Sequence, residues 1–162
     1  MQLKAVELEM FEAANKGDND RIWELVKQGA DINSARARDG WTALMRSAYN
    51  GHLTPELLEA FARNGADVNA RDKDGWTAMM KSAYNGHLIP ELLDAFMKNG
   101  AYINVRSNGG ETALMLSAYK GHLTLELLEA FVQHGADVNA RNKGGGTALI
   151  YSAWEGRLTP EL

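Results

Sequence analysis

Three of the four histidines in this 162-residue chain fall in the same triplet, Gly-His-Leu, at His52, His87 and His122. Imidazoles recurring at a fixed step invite a zinc centre, whose nitrogen ligands must sit ~2.0–2.1 Å from one ion. The step is 35 residues, which puts each imidazole in a separate helical unit, and packed helices stand ~8–10 Å apart. Rings so spaced cannot share a metal, and a turn histidine bonded to nearby backbone is the simpler reading. His134, in Gln-His-Gly-Ala-Asp, reads as a cation at a helix end. The serines at 47, 82, 117 and 152 recur at the same step, but a nucleophile needs a base and an orienting acid converging on one hydroxyl. These serines instead stand beside alanines in packing positions. Glu56 and Glu59 lie on an exposed helix face with no cleft between them. Asn-Lys-Gly-Gly-Gly-Thr at 142–147 lacks the strand before it and the Gly-Lys-Ser/Thr of a phosphate loop. The chain has no cysteine, so thiolate metal sites, disulfides and a cysteine nucleophile are excluded. The expectation is a protein without catalytic residues, metal or cofactor: not an enzyme.

What must position these residues is visible in the spacing itself. Thr42, Thr77, Thr112 and Thr147 stand 35 apart, as do Gly51, Gly86, Gly121 and Gly156, and residues 39–73 and 74–108 agree at 24 of 35 positions. Within 39–73, Asp39-Gly40 signals a turn, and Thr42 caps a first helix running to Asn50. Asn50-Gly51 stops that helix, both residues tolerating left-handed angles. Thr54-Pro55-Glu56 opens a second helix as cap, first-turn proline and first-turn acid. Leu57, Leu58 and Phe61 form its buried stripe, with Glu59 and Arg63 off it. Asn64-Gly65 ends the helix, and Ala-Asp-Val-Asn-Ala leads through a hairpin into the next unit. A single such pair cannot bury its stripe alone; stacked copies do so mutually.

Taken together, Gly-x-Thr-Ala-Leu, Ala-x-x-Gly-His-Leu, the Leu-Leu pair and Gly-Ala-Asp-Val-Asn-Ala resemble the ankyrin repeat family, over almost the whole chain. The resemblance implies an all-α solenoid of helix-turn-helix units joined by β-hairpin loops. The expected division of the single domain, 1–162, is a capping repeat at 4–38, repeats at 39–73, 74–108 and 109–143, and an incomplete repeat at 144–162. Two departures stand out. The unit is 35 residues against the common 33, the extra two falling between Gly-His-Leu and Leu-Leu, so that either the second helix or the loop before it is longer. The histidine that usually ties neighbouring units is replaced by Met45, Met80, Met115 and Ile150, which suggests flexible apolar packing. The chain stops at Gly-Arg-Leu-Thr-Pro-Glu-Leu, leaving Leu149, Ile150, Leu158 and Leu162 without an outer partner. That suggests either part of a larger parent chain or an end that self-associates.

At 100° per residue, Thr42, Arg46 and Tyr49 lie within ~40° of one another on a first helix, away from Leu44 and Ala48. The resemblance places this stripe, with the hairpin tips, along a concave groove where partners bind. The matching column reads Tyr49, Tyr84, Tyr119 and Trp154. Beside it run Arg46, Lys81, Leu116 and Tyr151, and Trp41 and Trp76 stand at the hairpin end. Large rings give contact area at low entropic cost and dominate interface hot spots; packing of the rings against one another is the structural alternative. The tips and groove carry Arg36, Arg38, Arg71, Lys73, Arg106, Lys120, Arg141 and Lys143 as well, although the whole chain has a net charge of −4. The expected partner is therefore another protein or peptide, an acidic segment fitting best. Trp41, Trp76, Tyr49, Tyr84, Tyr119 and Trp154 serve as anchors, and Arg46, Lys81, Arg71 and Arg106 as electrostatic guides. Nucleic acid fits poorly because Asp alternates with Arg or Lys at the tips, and no small-molecule substrate is expected. Asn69 and Asn139 resemble asparagines that eukaryotic hydroxylases modify in this family, but a side chain bonding the hairpin backbone is the structural reading. Without a membrane-length apolar run or a signal peptide, a cytoplasmic setting is the simplest expectation.

Overall fold

A computed structural model of the protein describes residues 4–154, and the expectations for Leu158 and Leu162 lie outside the described residues. Helices run α1 Ala5–Lys16, α2 Asn19–Lys27, α3 Ala43–Tyr49, α4 Pro55–Arg63, α5 Ala78–Tyr84, α6 Pro90–Lys98, α7 Ala113–Tyr119, α8 Leu125–Gln133 and α9 Ala148–Trp154. First helices stack on first helices, α1 on α3 and so on through α5 and α7 to α9, and second helices stack as α4 on α6 on α8. Two parallel layers result. No described helix is long and apolar enough to cross a membrane.

Local sequence explains each boundary. The hydroxyls of Thr42, Thr77 and Thr112 accept from the backbone N–H groups of Met45, Met80 and Met115, each at 3.3 Å. Thr54 and Thr124 cap α4 and α8 in the same way. At position 89 the cap is Ile, and α6 starts on Pro90 with no side-chain cap. Asn50 keeps a right-handed φ of −87°. Gly51 alone turns left-handed, at 77°, so the helix stop needs only the glycine and not the pair that the sequence suggested. Gly51 has a second constraint. A Cβ there would stand 2.8 Å from the His87 ring of the next unit, and Gly86 meets His122 in the same way.

The two extra residues enlarge the loop and leave the second helix alone. In the first unit the cap residue Asp18 directly follows Gly17, whereas His52 and Leu53 stand between Gly51 and Thr54. Helices α2, α4, α6 and α8 are all nine residues long. The inserted pair is used for packing: Leu53 and Leu88 are buried, and the His52 ring bonds the carbonyl of Asn15 at 3.2 Å. A histidine thus ties neighbouring units after all, from the loop rather than from the first helix.

The core runs unbroken from Met10 to Ala148. Phe61, Phe96 and Phe131 are fully buried at one step of 35, and Met45, Met80 and Met115 of the first helices are buried at the same step. Between units the segments after the second helices form turns closed by single backbone bonds, such as Asp72 N–H to Trp76 O at 3.0 Å, without a strand ladder among the described residues. Asparagines in these segments reach forward. Asn69 donates to Gly100 O at 2.8 Å and accepts from Tyr102 N–H at 2.9 Å. Asn33 and Asn104 clamp Gly65 with Asp67, and Gly135 with Asp137, in the same way. The amide bonds the following unit rather than its own hairpin.

Ser47, Ser82 and Ser117 are fully buried where first helices touch, and among the described residues their hydroxyls have no hydrogen-bond partner. An unsatisfied buried hydroxyl costs about 1–3 kcal/mol. Replacing the three by alanine is expected to stabilise the fold by about 1 kcal/mol per site, measured by urea denaturation. A loss of stability would mean that each hydroxyl has a partner.

Candidate functional site

The ring column and the hairpin tips meet on one face. The Trp41 and Tyr49 rings lie 4.9 Å apart, and those of Trp76 and Tyr84 5.1 Å apart. Each pair joins a hairpin tip to the end of the helix that follows it. Tyr119 meets Tyr151 at 5.3 Å, edge to face, and Tyr151 meets Trp154 at 6.0 Å. Such offset and edge contacts are the favoured aromatic geometries. Trp76, Tyr84, Tyr119 and Trp154, with Tyr151, Glu111, Met115 and Leu116, line one open cavity of about 360 Å³. Exposure is lowest at Tyr84 and highest at Trp154. Tyr84 is half-buried, Tyr49 is 38% exposed, Tyr119 44% and Trp154 76%. Trp41 and Trp76 are half-buried against the core.

Lys81 departs from the reading of a solvated guide. Its side chain is 4% exposed, and Nζ bonds Asp72 Oδ2 at 2.6 Å. The ammonium lies 3.7 Å from the Trp41 ring centre and 5.4 Å from that of Trp76. It is therefore held between indoles of two successive units and paired with a carboxylate that is itself buried. Burial pulls its pKa below the ordinary lysine value of 10.5, against the opposing pull of Asp72. Asp72 does more than balance charge. Its Oδ1 accepts from the N–H groups of Trp76 at 2.8 Å and Asp74 at 3.0 Å, closing the hairpin. In the next unit Ser107 closes its hairpin, accepting from Gly109 and Glu111 N–H at 3.1 Å each, and Leu116 replaces the lysine. One unit further, Asn142 donates to Tyr151 Oη at 2.5 Å. The residues at 72, 107 and 142 thus match those at 81, 116 and 151, always nine positions on. That pairing was readable as spacing but was missed, because Asp72 was taken for a solvated tip charge.

The other expected guides are also engaged. Arg46 stands 4.3 Å over the Trp41 ring. Arg71 Nη2 donates to Arg106 O at 2.7 Å, and Arg106 Nη2 to Arg141 O. Lys73 Nζ reaches Ala37 O at 2.6 Å. Arg36 pairs with Asp39. Burial acts to raise the Asp39 pKa, but the Arg36 hydrogen bond and the Trp41 N–H outweigh it, so it lies below the ordinary 3.8. The tip cations therefore lace unit to unit through backbone carbonyls. Lys120, at the rim, holds Nζ 4.8 Å over the Tyr84 ring. His134 lies away from this face and pairs with Asp94 at 2.6 Å between α8 and α6.

Removing one partner of a buried ion pair strands the other charge. Lys81→Leu alone is expected to cost about 3–5 kcal/mol. Asp72→Ser/Lys81→Leu, which copies the Ser107 and Leu116 pair of the next unit, is expected to recover most of that loss. The folded chain holds the Lys81 proton less tightly than the unfolded chain does, so the cost of the buried charge is present at neutral pH. It is relieved as pH rises through the folded pKa towards 10.5, so this site makes stability rise with pH there. Urea denaturation from pH 7 upward should show that component in the native protein and not in the double variant. A harmless single variant would mean that the pair is open to water.

The model of the ankyrin-repeat family (ankyrin repeats, 3 copies) matches residues 10–107 and 89–159. No curated protein matches the chain. The stacked helix pairs, the glycine-stopped first helices and this match, which covers most of the sequence, agree: the chain belongs to the ankyrin-repeat family, whose members are generally protein–protein interaction modules and typically non-catalytic.

Proposed function

We propose that this protein binds a segment of another protein on the ring-bearing face, without catalysis. The observation that carries the reading is that Trp76, Tyr84, Tyr119 and Trp154 all line the same open cavity. Aromatic side chains fixed edge to face lose little freedom on docking, so most of the contact energy is retained. Arg71, Arg106 and Arg141 flank this face with positive charge. Their donors are bonded to backbone carbonyls, so they act on an acidic partner segment through their field, guiding its approach more than clamping it.

Changing Tyr49, Tyr84 and Tyr119 together to alanine is expected to abolish partner capture from a lysate of the source cells, while leaving the helical circular dichroism of the stack in place. Equal recovery of every captured protein would remove the rings from the function.

A second reading is favoured by a different surface. A cavity of about 270 Å³ between α7, α8 and α9 is lined by Leu114, Leu123, Leu128, Val132, Val138 and Leu149, and Leu149 is 63% and Val132 53% exposed. We propose self-association at this end as the alternative, with the ring face idle. Sedimentation velocity over a wide concentration range separates the two: a persistent monomer excludes self-association, and a dimer dissolved by Leu149→Glu supports it.

A further inference from the structure

Lys81 shows what the ring face holds within the chain: an ammonium between two indoles and a carboxylate. One step of 35 along the stack the same volume is rebuilt without its cation. The Trp76 ring remains, and Leu116, too short and uncharged, stands where Lys81 stood and is 4% exposed. A carboxylate is still supplied, now from Glu111, whose Oε2 accepts from Ser107 Oγ. Glu111 Oε1 has no partner among the described residues. The space left by the missing lysine is the cavity of about 360 Å³, walled by Trp76, Tyr84, Tyr119, Tyr151 and Trp154 with Glu111 at its edge. Position 146 is glycine in the following unit, and a Cβ there would stand 2.6 Å from Tyr151 Oη. The Tyr151 ring therefore has room to lie towards the cavity.

We propose that this cavity takes the side-chain ammonium of a lysine from the partner protein, completing between the second and third full units what Lys81 completes between the first and second. The inference rests on the ring face being the binding surface. Two features select a cation over an apolar group: π-faces, whose quadrupoles attract positive charge, and the half-buried Glu111 carboxylate at the cavity edge. An acidic side chain would meet Glu111 and is excluded from the cavity, so an acidic partner segment fits only if its acids lie towards the arginine tips and a lysine points inward. Free and methylated lysine share the required chemistry. Methylation spreads the charge and lowers the cost of stripping water, which favours a wall made of rings over one made of carboxylates.

The test uses the intact chain and three glycine–serine peptides, alike except for one central residue: lysine, trimethyllysine, or the uncharged carbon isostere of trimethyllysine. The readout is the indole N–H resonances of the four tryptophans. The expected result is saturable shifts at Trp76 and Trp154 with a cationic peptide and none at Trp23, with the uncharged peptide binding at least about fivefold more weakly. Glu111→Gln, which preserves the side chain's size, is expected to shrink that preference. Trp154→Ala, on a ring that packs no core, is expected to weaken binding of the cationic peptides. The stronger of the two cationic peptides identifies the form of lysine. Equal binding of the uncharged peptide, or no movement of Trp76 with any peptide, overturns the proposal. In that case loss of partner capture on removing the three tyrosines would leave the binding face standing and reject only the lysine, whereas unchanged capture would reject both.

Discussion

Each helix pair in this protein leaves an apolar face bare on both sides, so no part of the molecule is stable until neighbouring units meet in a fixed register. Several short-range bonds set that register. The carboxamides of Asn33, Asn69 and Asn104 each bridge an N–H and a carbonyl of the following unit. Tip backbones link at Lys73 to Asp39, Asn108 to Asp74 and Lys143 to Gly109. Histidine rings lie against the glycines of the unit before. A slip by one residue would break all of these at once, and buried polar groups left without partners are costly. The polar ties therefore choose the geometry in which the apolar burial takes place.

That register is also what makes a surface out of separate units. The Tyr119 ring meets Tyr151 of the following unit, and the Lys81 ammonium reaches back to a ring forty positions earlier. The near-identical units are varied on this face while the core is kept. Phenylalanine holds positions 61, 96 and 131, yet the hairpin position passes from Trp41 and Trp76 to Glu111 and Gly146. Because the stack fixes every backbone position, each substitution there changes the surface without changing the fold. One interval is filled by the chain's own lysine and the next is left open beside an acid.

The features readable in the sequence were those governed by neighbours in the chain. The 35-residue period, the threonine caps, Pro55 at the start of a helix, Gly51 at the end of one and the stripe of Leu57, Leu58 and Phe61 all depend on local backbone and burial. The features that were hidden depend on contacts between units. Lys81 was expected in solvent because its column runs beside the Tyr84 stripe, on the side of the first helix turned away from the core. The Trp41 indole and the Asp72 carboxylate that bury it come from elsewhere in the stack. Asn69 was expected to bond its own hairpin, and the extra two residues had two equally good homes until the position of His52 and Leu53 was seen. The tip arginines looked free because a backbone carbonyl 35 residues away carries no signature in composition.

The account stands or falls on a side chain of one unit lying against a ring of the unit before it. The most direct measurement is the proton chemical shift of the Lys81 ε-methylene, assigned by NMR in the intact chain. An ammonium held between the Trp41 and Trp76 indoles must place these protons in the ring currents, so the resonance is expected far upfield of that of exposed Lys98 and to return towards it in Trp41→Ala. A Lys81 resonance coincident with that of Lys98 in the native protein would contradict the register and the ring face built on it.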